Sequence, residues 1–280
     1  MLTPASKRRR RWKIGIGVLV VLIVAVVVVK QTLLNDDVHR VSTEDALEDF
    51  RENATPTTGA TAGEHAGVPA STAAELVAEL PNPGVYLYRT TGFESIDAVG
   101  GSRHDYPEQT TITVVRQGCG VMLTWDVLQE RSDMWNLCVE DEGIALTTEG
   151  LAFHQFFGQS RTEPLTCDRT VVLVPDDGEP RPPVQLSCLL GENQWAPAWE
   201  VLGYDRLTVG TEIVPVRHVR MTVADDDEYW EHVVVDWYLD ENGLPVKVQA
   251  VKQSLSDTAY GDVEYDEVYT IELLSRTPLT

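Results

Sequence analysis

Histidines, carboxylates and cysteines are the residues of this chain whose types could do chemistry. His104-Asp105, His154, His218 and Glu231-His232 are scattered along it, and no G-x-S-x-G accompanies them. A nucleophilic hydrolase needs a serine or cysteine held beside a histidine, and no spacing here supplies one. Neither a C-x-x-C nor a His-x-x-x-His pair occurs, so a zinc set is not indicated. Asp225-Asp226-Asp227-Glu228 and Asp176-Asp177 are acidic enough for calcium but lack the spaced D-x-D-x-D-G loop. With 44 Asp and Glu in the chain, carboxylate pairs for glycoside hydrolysis arise by abundance alone and single out no site. We therefore expect no catalytic residues, metal or cofactor, and histidines in structural or surface roles.

The strongest signal is apolar. Ile14 to Val29 is a run of sixteen residues without a polar side chain, set between Lys7-Arg8-Arg9-Arg10-Arg11-Trp12-Lys13 and Lys30. A helix over 14–34 with its flank crosses a hydrocarbon core of about 30 Å. In lipid only a helix satisfies every backbone group within one segment, despite the abundance of Val and Ile. Six cationic residues before the run against Lys30 after it keep residues 1–13 in the cytoplasm and place the rest outside. The expectation is a single-pass plasma-membrane anchor whose partner is the bilayer. A cleavable signal peptide is the alternative, but Val28-Val29-Lys30-Gln31-Thr32 offers no pair of small residues to a peptidase.

That orientation puts Cys119, Cys138, Cys167 and Cys188 in an oxidising compartment. Four cysteines allow three pairings. The spacings favour Cys119 with Cys138 and Cys167 with Cys188, each pair joining neighbouring strands. Beyond residue 30 the chain carries 15 basic and 44 acidic residues, a net of −29. Nucleic acid is excluded as a partner by that sign.

The elements that must position any site follow. Ser42-Thr43-Glu44-Asp45 has the form of a helix start, with Leu47 and Phe50 on an apolar face, and predicts a short stalk helix. Residues 53–70, rich in Ala, Thr, Gly and Pro, read as a linker, so that 35–70 is stalk and linker. Thr72-Ala73-Ala74-Glu75 is a capping box, and Ala73, Leu76, Val77 and Leu80 at helical spacing predict one helix before Pro81. From Val85 the period becomes two. Cys119, Val121, Leu123, Trp125 and Val127 alternate with polar or exposed partners, as do Val219, Met221 and Val223. Val233, Val235, Trp237 and Leu239 lead to a turn at Asn242-Gly243, and Val246, Val248 and Ala250 return. Val263, Tyr265, Tyr269, Ile271 and Leu273 line a last strand. Without βαβ alternation, 71–280 should be one mainly β domain with a curved antiparallel sheet.

Trp237-Tyr238-Leu239-Asp240-Glu241-Asn242-Gly243-Leu244-Pro245-Val246-Lys247 resembles the late hairpin of the LolA and LppX/LprG lipid-carrier superfamily, and Leu207 to Glu212 resembles the strand that precedes it there. Gly84 to Tyr88, Tyr106-Pro107 and Phe153 to Gly158 also resemble segments of membrane-anchored actinobacterial envelope proteins. The resemblance implies a half-barrel around an apolar hollow with one or two short covering helices. It departs from that pattern in lacking a lipid-modified cysteine and in its unbroken anchor. On this reading Trp125, Phe153, Phe156, Phe157 and Trp237 are candidate lining residues for a lipid or other apolar ligand, in a non-enzymatic extracytoplasmic domain. The alternatives are aromatic residues that merely fill the sheet's inner face, and a regulatory or scaffold ectodomain that binds another envelope protein.

Overall fold

The computed structural model describes residues 38–54, 80–98, 101–225, 231–258 and 261–280. The expected anchor at 14–34, most of the linker, the helix at 72–79 and the acidic stretch 226–228 lie outside the described residues. Among those described, no helix is long and apolar enough to cross a membrane.

The fold is one antiparallel sheet of sixteen strands among the described residues. Its central strand β1 (Gly84–Ile96) pairs with the last strand β16 (Gly261–Leu273) on one side and with β3 (Gln109–Gln117) on the other. From β3 a meander runs outward through β4 (Gly120–Leu128), β5 (Arg131–Glu140), β6 (Gly143–Phe156) and β7 (Gln159–Cys167). From β16 a second meander runs through β15 (Pro245–Thr258), β14 (Glu231–Leu239), β13 (Glu212–Asp225) and β12 (Ala198–Val209). Short strands extend the periphery: β2 (Ser102–Asp105) on β1, β8 (Val171–Pro175) on β6, β9 (Arg181–Gln185) on β12, and β10 (Cys188–Leu190) and β11 (Asn193–Trp195) beyond β7. Both prolines of β9, Pro182 and Pro183, lie in an edge strand where its register with β12 shifts, between the pairings of Arg181 with Val201 and Val184 with Trp199.

The sheet curls into a half-barrel. Arg131 of β5 and Glu267 of β16 are four strand steps apart, which a flat sheet would separate by about 19 Å, yet their side chains meet at 3.1 Å. Trp135 of β5 and Trp237 of β14 are six steps apart with ring centroids 4.8 Å from each other. The inward alternation is the expected one: Val121, Leu123, Trp125 and Val127, then Val233, Val235, Trp237 and Leu239, are all buried in one continuous core. Cys119–Cys138 and Cys167–Cys188 are both bonded, each beside a pair of hydrogen-bonded strands, β4 with β5 and β7 with β10. Closing loops of this length contributes about 3 kcal/mol each in the chain-entropy account.

The hairpin that carries the resemblance is organised by Asp240. Its Oδ1 accepts the N–H groups of Asn242 and Leu244 at 2.9 Å each, and its Oδ2 meets Arg276 at 3.2 Å. Gly243 adopts a φ of 81°, and a Cβ there would come within 3.2 Å of Ile144 and Leu137 across the curl. The D-x-x-G spacing thus builds a turn and seats it against the opposite wall.

Helix α1 (Thr43–Ala54) begins as expected, with Ser42 Oγ donating to Asp45 Oδ2 at 2.8 Å and Asp45 N–H donating back to Ser42 Oγ at 3.1 Å. It runs two residues into the stretch read as linker, and it is not a free stalk: Ala46 and Phe50 pack on Val85, with Leu47 and Val115 beside them. Val85 alternates with inward-facing Tyr86, so α1 covers the outer face of the sheet and leaves the hollow alone. His39 ties the segment ahead of it to the β4–β5 turn, its N–H and Nδ1 both reaching Glu130, at 2.9 and 2.6 Å.

Asp126, on the outer face of β4, has its carboxyl pushed up to about 6 by burial and then by Asp49 of α1. A raised carboxyl opposes the fold when ionised, so this cost is full above pH 6 and disappears as the pH falls toward the unfolded value near 4. Asp126→Asn should stabilise the protein by about 2 kcal/mol at pH 7 and show no advantage at pH 4. Urea titrations of both proteins at the two pH values check this, and an equal gain at both would refute it.

Candidate functional site

The hollow of the half-barrel is occupied by its own side chains, in two zones. At one end Trp237 meets Trp135 edge-on at 4.8 Å and lies 6.5 Å from Trp199. The void left among Leu123, Trp135, Leu137, Leu146, Leu173, Trp237 and Leu239 is about 10 Å³, room for about one water.

At the other end the inward alternation turns polar. β1 continues Tyr86, Tyr88, Thr90 into Glu94; β16 places Glu267 between Tyr265 and Tyr269; β15 continues Val246, Val248, Ala250 into Lys252. Register lines these up across four strands as His104, Glu94, Glu267 and Lys252. The curl brings Arg131 and His154, directly paired on β5 and β6, onto the row, with Asp133 next to them.

The contacts leave little carboxylate capacity idle. Arg131 donates from Nε and Nη2 to the two oxygens of Glu267 at 3.1 and 3.4 Å, and from Nη2 to Asp133 Oδ2 at 2.6 Å. Lys252 Nζ sits 2.6 Å from Glu267 Oε2 and 3.6 Å from Asp133 Oδ2. Tyr106 donates its hydroxyl to Glu267 Oε1 at 2.6 Å, and Tyr265 donates to Glu94 Oε2 at 3.1 Å. Glu94 also holds two imidazoles, with His104 Nδ1 at 2.9 Å and His154 Nδ1 at 3.2 Å. Glu94, His104, Arg131 and Glu267 are each 0 % exposed.

Electrostatics decide the protonation states. Burial pushes the Glu94 carboxyl up, but hydrogen bonds from His104 and His154 and the Arg131 charge outweigh it and hold it below the usual range. Burial is likewise overcome at Glu267 and Asp133 by Arg131 and Lys252, which keep both ionised. The same pairs lift Lys252 and Arg131 above their ordinary values against burial. Burial and then the Glu267 charge raise the Tyr106 and Tyr265 hydroxyls, so both act as donors. Three carboxylates against Arg131 and Lys252 leave one negative charge on these five groups, beside the two imidazoles.

Chemically this is a saturated ion network. Its carboxylates are engaged by donors, and among the described residues no nucleophile is aimed into it and no group of three His, Cys, Asp or Glu side chains could hold a metal ion. Such a network fixes which strands face each other across the hollow, because any slip in register strands a buried charge.

The five residues proposed as a lining do not converge. Trp125 is fully buried, donates its indole N–H to Thr110 Oγ1 at 3.0 Å and packs on Tyr269 at 4.6 Å. Trp237 belongs to the distant tryptophan group. Phe156 stacks on His104 at 4.4 Å and caps the ion network. Phe153, one residue before His154, alternates to the opposite face, and Phe157 occupies the β6–β7 turn with a φ of 52°. Of the candidate histidines, His104 and His154 enter the network, while His218 meets Asp236 at 2.7 Å on the outer face. Asp177 is engaged by Arg181 at 2.6 Å and by the Glu179 N–H at 3.0 Å. The signal that could have found the network was charge at inward parity: Glu94, Lys252 and Glu267 each extend a run of buried alternate residues.

No family model, curated protein or solved structure matches the chain. The likeness to lipid carriers therefore rests on the hairpin residues 237–247 and the preceding stretch 207–212.

Proposed function

We propose that this chain is a membrane-tethered, extracytoplasmic, non-catalytic ectodomain that engages another envelope protein through the outer face of its sheet. The observation that carries this reading is the packed hollow. A pocket for a lipid or a drug-sized ligand takes about 300–1,000 Å³, against about 10 Å³ in the tryptophan zone and a buried ion network in the other.

The outer face is where apolar surface is left over. Val234, Val251 and Val268 are directly paired across β14, β15 and β16 and are 41, 46 and 37 % exposed. The row continues onto β1 at Phe93, whose ring carries the Arg103 guanidinium 3.5 Å from its centroid. Its flanking rows are polar: Asp236, Gln249 and Thr270 on one side, His232, Gln253 and Asp266 on the other. An apolar strip about 14 Å long with a polar rim suits a partner presenting a matching strip.

A photo-crosslinking side chain at position 251 of the full chain, in its own membranes, should give a discrete protein adduct. The same label at exposed Thr208 should not. With the label kept at 251, Val234→Glu on the adjacent strand should remove the adduct with a stability change within about 0.5 kcal/mol. Native mass spectrometry of the purified full chain should return the bare mass; a co-purifying lipid would instead favour lipid carriage and sink the reading.

A further inference from the structure

Three arginines of this sheet can be compared by what faces the Nε and Nη2 edge of the guanidinium, the edge that grips a carboxylate with two parallel hydrogen bonds. Arg131 presents it to Glu267 at 3.1 and 3.4 Å. Arg220 presents it to Asp236 at 2.8 and 3.1 Å. Arg217, on the same strand as Arg220, is only 2 % exposed, and among the described residues its Nε and Nη2 are buried without a hydrogen-bond partner. Nη1 donates to the Gly178 carbonyl. Tyr204, directly opposite on β12, lays its ring 3.4 Å over the guanidinium and is itself 68 % exposed.

A guanidinium does not lose its proton at physiological pH, so Arg217 must stay charged while buried. Neighbouring carboxylates do not remedy this: Asp177 is the acid whose charge reaches it, and Asp177 is gripped by Arg181 at 2.6 Å. The charges respond accordingly. Burial pulls Arg217 below its ordinary value, while the Asp236 hydrogen bond raises Arg220, and Asp133 and Glu267, against burial, raise Arg131.

We propose that Arg217 is a carboxylate-binding site on the β12–β13 hairpin, reading an external carboxylate through its Nε and Nη2 edge beneath a displaceable Tyr204 ring. Tyr204 suits the role of cover: it packs over Gly178, where even a Cβ would meet its hydroxyl, and most of its surface faces solvent. The carboxylate comes either from a small free acid or from an Asp or Glu side chain of a partner. Ile213, 72 % exposed on the same hairpin, offers apolar contact to the second kind of ligand. This site is independent of the valine strip and stands or falls separately from it.

The test is a titration of the full chain, labelled with ¹⁵N-arginine in detergent micelles, followed at the Nε–H signals. The Arg217 signal is identified by its loss in Arg217→Lys, which keeps the charge but not the planar edge. Should that variant fail to fold, selective ¹⁵N-arginine and ¹³C′-Val216 labelling identifies the Arg217 backbone amide, from which its Nε–H is correlated. Sodium acetate and a terminally blocked peptide with a single Glu are added separately, against sodium chloride of equal ionic strength. The expected result is a saturable shift of the Arg217 signal, with a Kd of about 10 mM or tighter. Equal affinity for the two probes marks a small acid as the ligand; tighter binding of the peptide marks a partner's side chain. An Arg217 signal that moves with neither probe beyond the chloride control overturns the proposal.

Discussion

Arg131→Met should destabilise the protein by about 3–5 kcal/mol, the range for removing one partner of a buried ionic group and leaving the others uncompensated. For a body of about 200 residues that is a fall in Tm of order 10 °C. The cause is specific. Glu267 and Asp133 lose their shared donor and Glu94 loses a positive neighbour, all inside a hollow where no solvent can replace them. The loss should depend on pH in a defined direction. In the natural protein Glu94, Asp133 and Glu267 are held below the ordinary carboxylate range, so the stability they contribute is present above the unfolded value near 4 and is lost as the pH falls through their depressed native values. Removing Arg131 raises those values, and protonation then relieves the stranded charges. The gap between variant and natural protein should therefore narrow as the pH drops below about 4. Urea titrations across pH 3 to 8 measure it, and a constant gap would mean that Arg131 matters for packing and not for charge.

The second large effect concerns Trp125. Trp125→Ala should cost about 3–5 kcal/mol, as large-to-small changes in a closed core do. Its ring is fully buried against Tyr269 and edge-on to Tyr106, whose hydroxyl in turn holds Glu267. Its indole N–H reaches Thr110, which shares a 2.6 Å hydrogen bond with Thr90. Deleting the ring therefore opens a void and loosens the donor that faces the ion network. Trp125→Phe keeps most of the volume and should lose far less. A wall residue of an open cavity would behave differently: its truncation would cost little stability and change ligand binding. Thermal and urea unfolding of the two variants separates these outcomes.

Much of the architecture was legible from alternation. The buried faces at Val233 to Leu239, Val246 to Ala250 and Val263 to Leu273, and both cysteine pairs, are those the sequence implied. The helix start at Ser42 was legible as well, because capping chemistry is local. Its docking on Val85 was not, since a face of Leu47 and Phe50 shows that a helix packs but not upon what. Glu94, Lys252 and Glu267 are not legible for a related reason: a single charge at an inward position is uninterpretable until its partner is known, and Arg131 lies more than a hundred residues from two of them. Phe153, Phe156 and Phe157 are close along the chain, yet they part company because successive strand residues face opposite ways and the last of them falls in a turn.

By itself the sequence determined the all-β body and its inward and outward faces and favoured the disulfide pairing that forms, because strand period, turn chemistry and cysteine spacing act over short stretches of chain. Only the tertiary structure decided what fills the hollow. The curl brings β5 and β6 over β1, β16 and β15, and so sets Arg131 and His154 against Glu94 and Glu267 and the tryptophans against one another. Whether a curved sheet encloses space or closes on its own side chains depends on distances between strands remote in sequence, which no local pattern encodes.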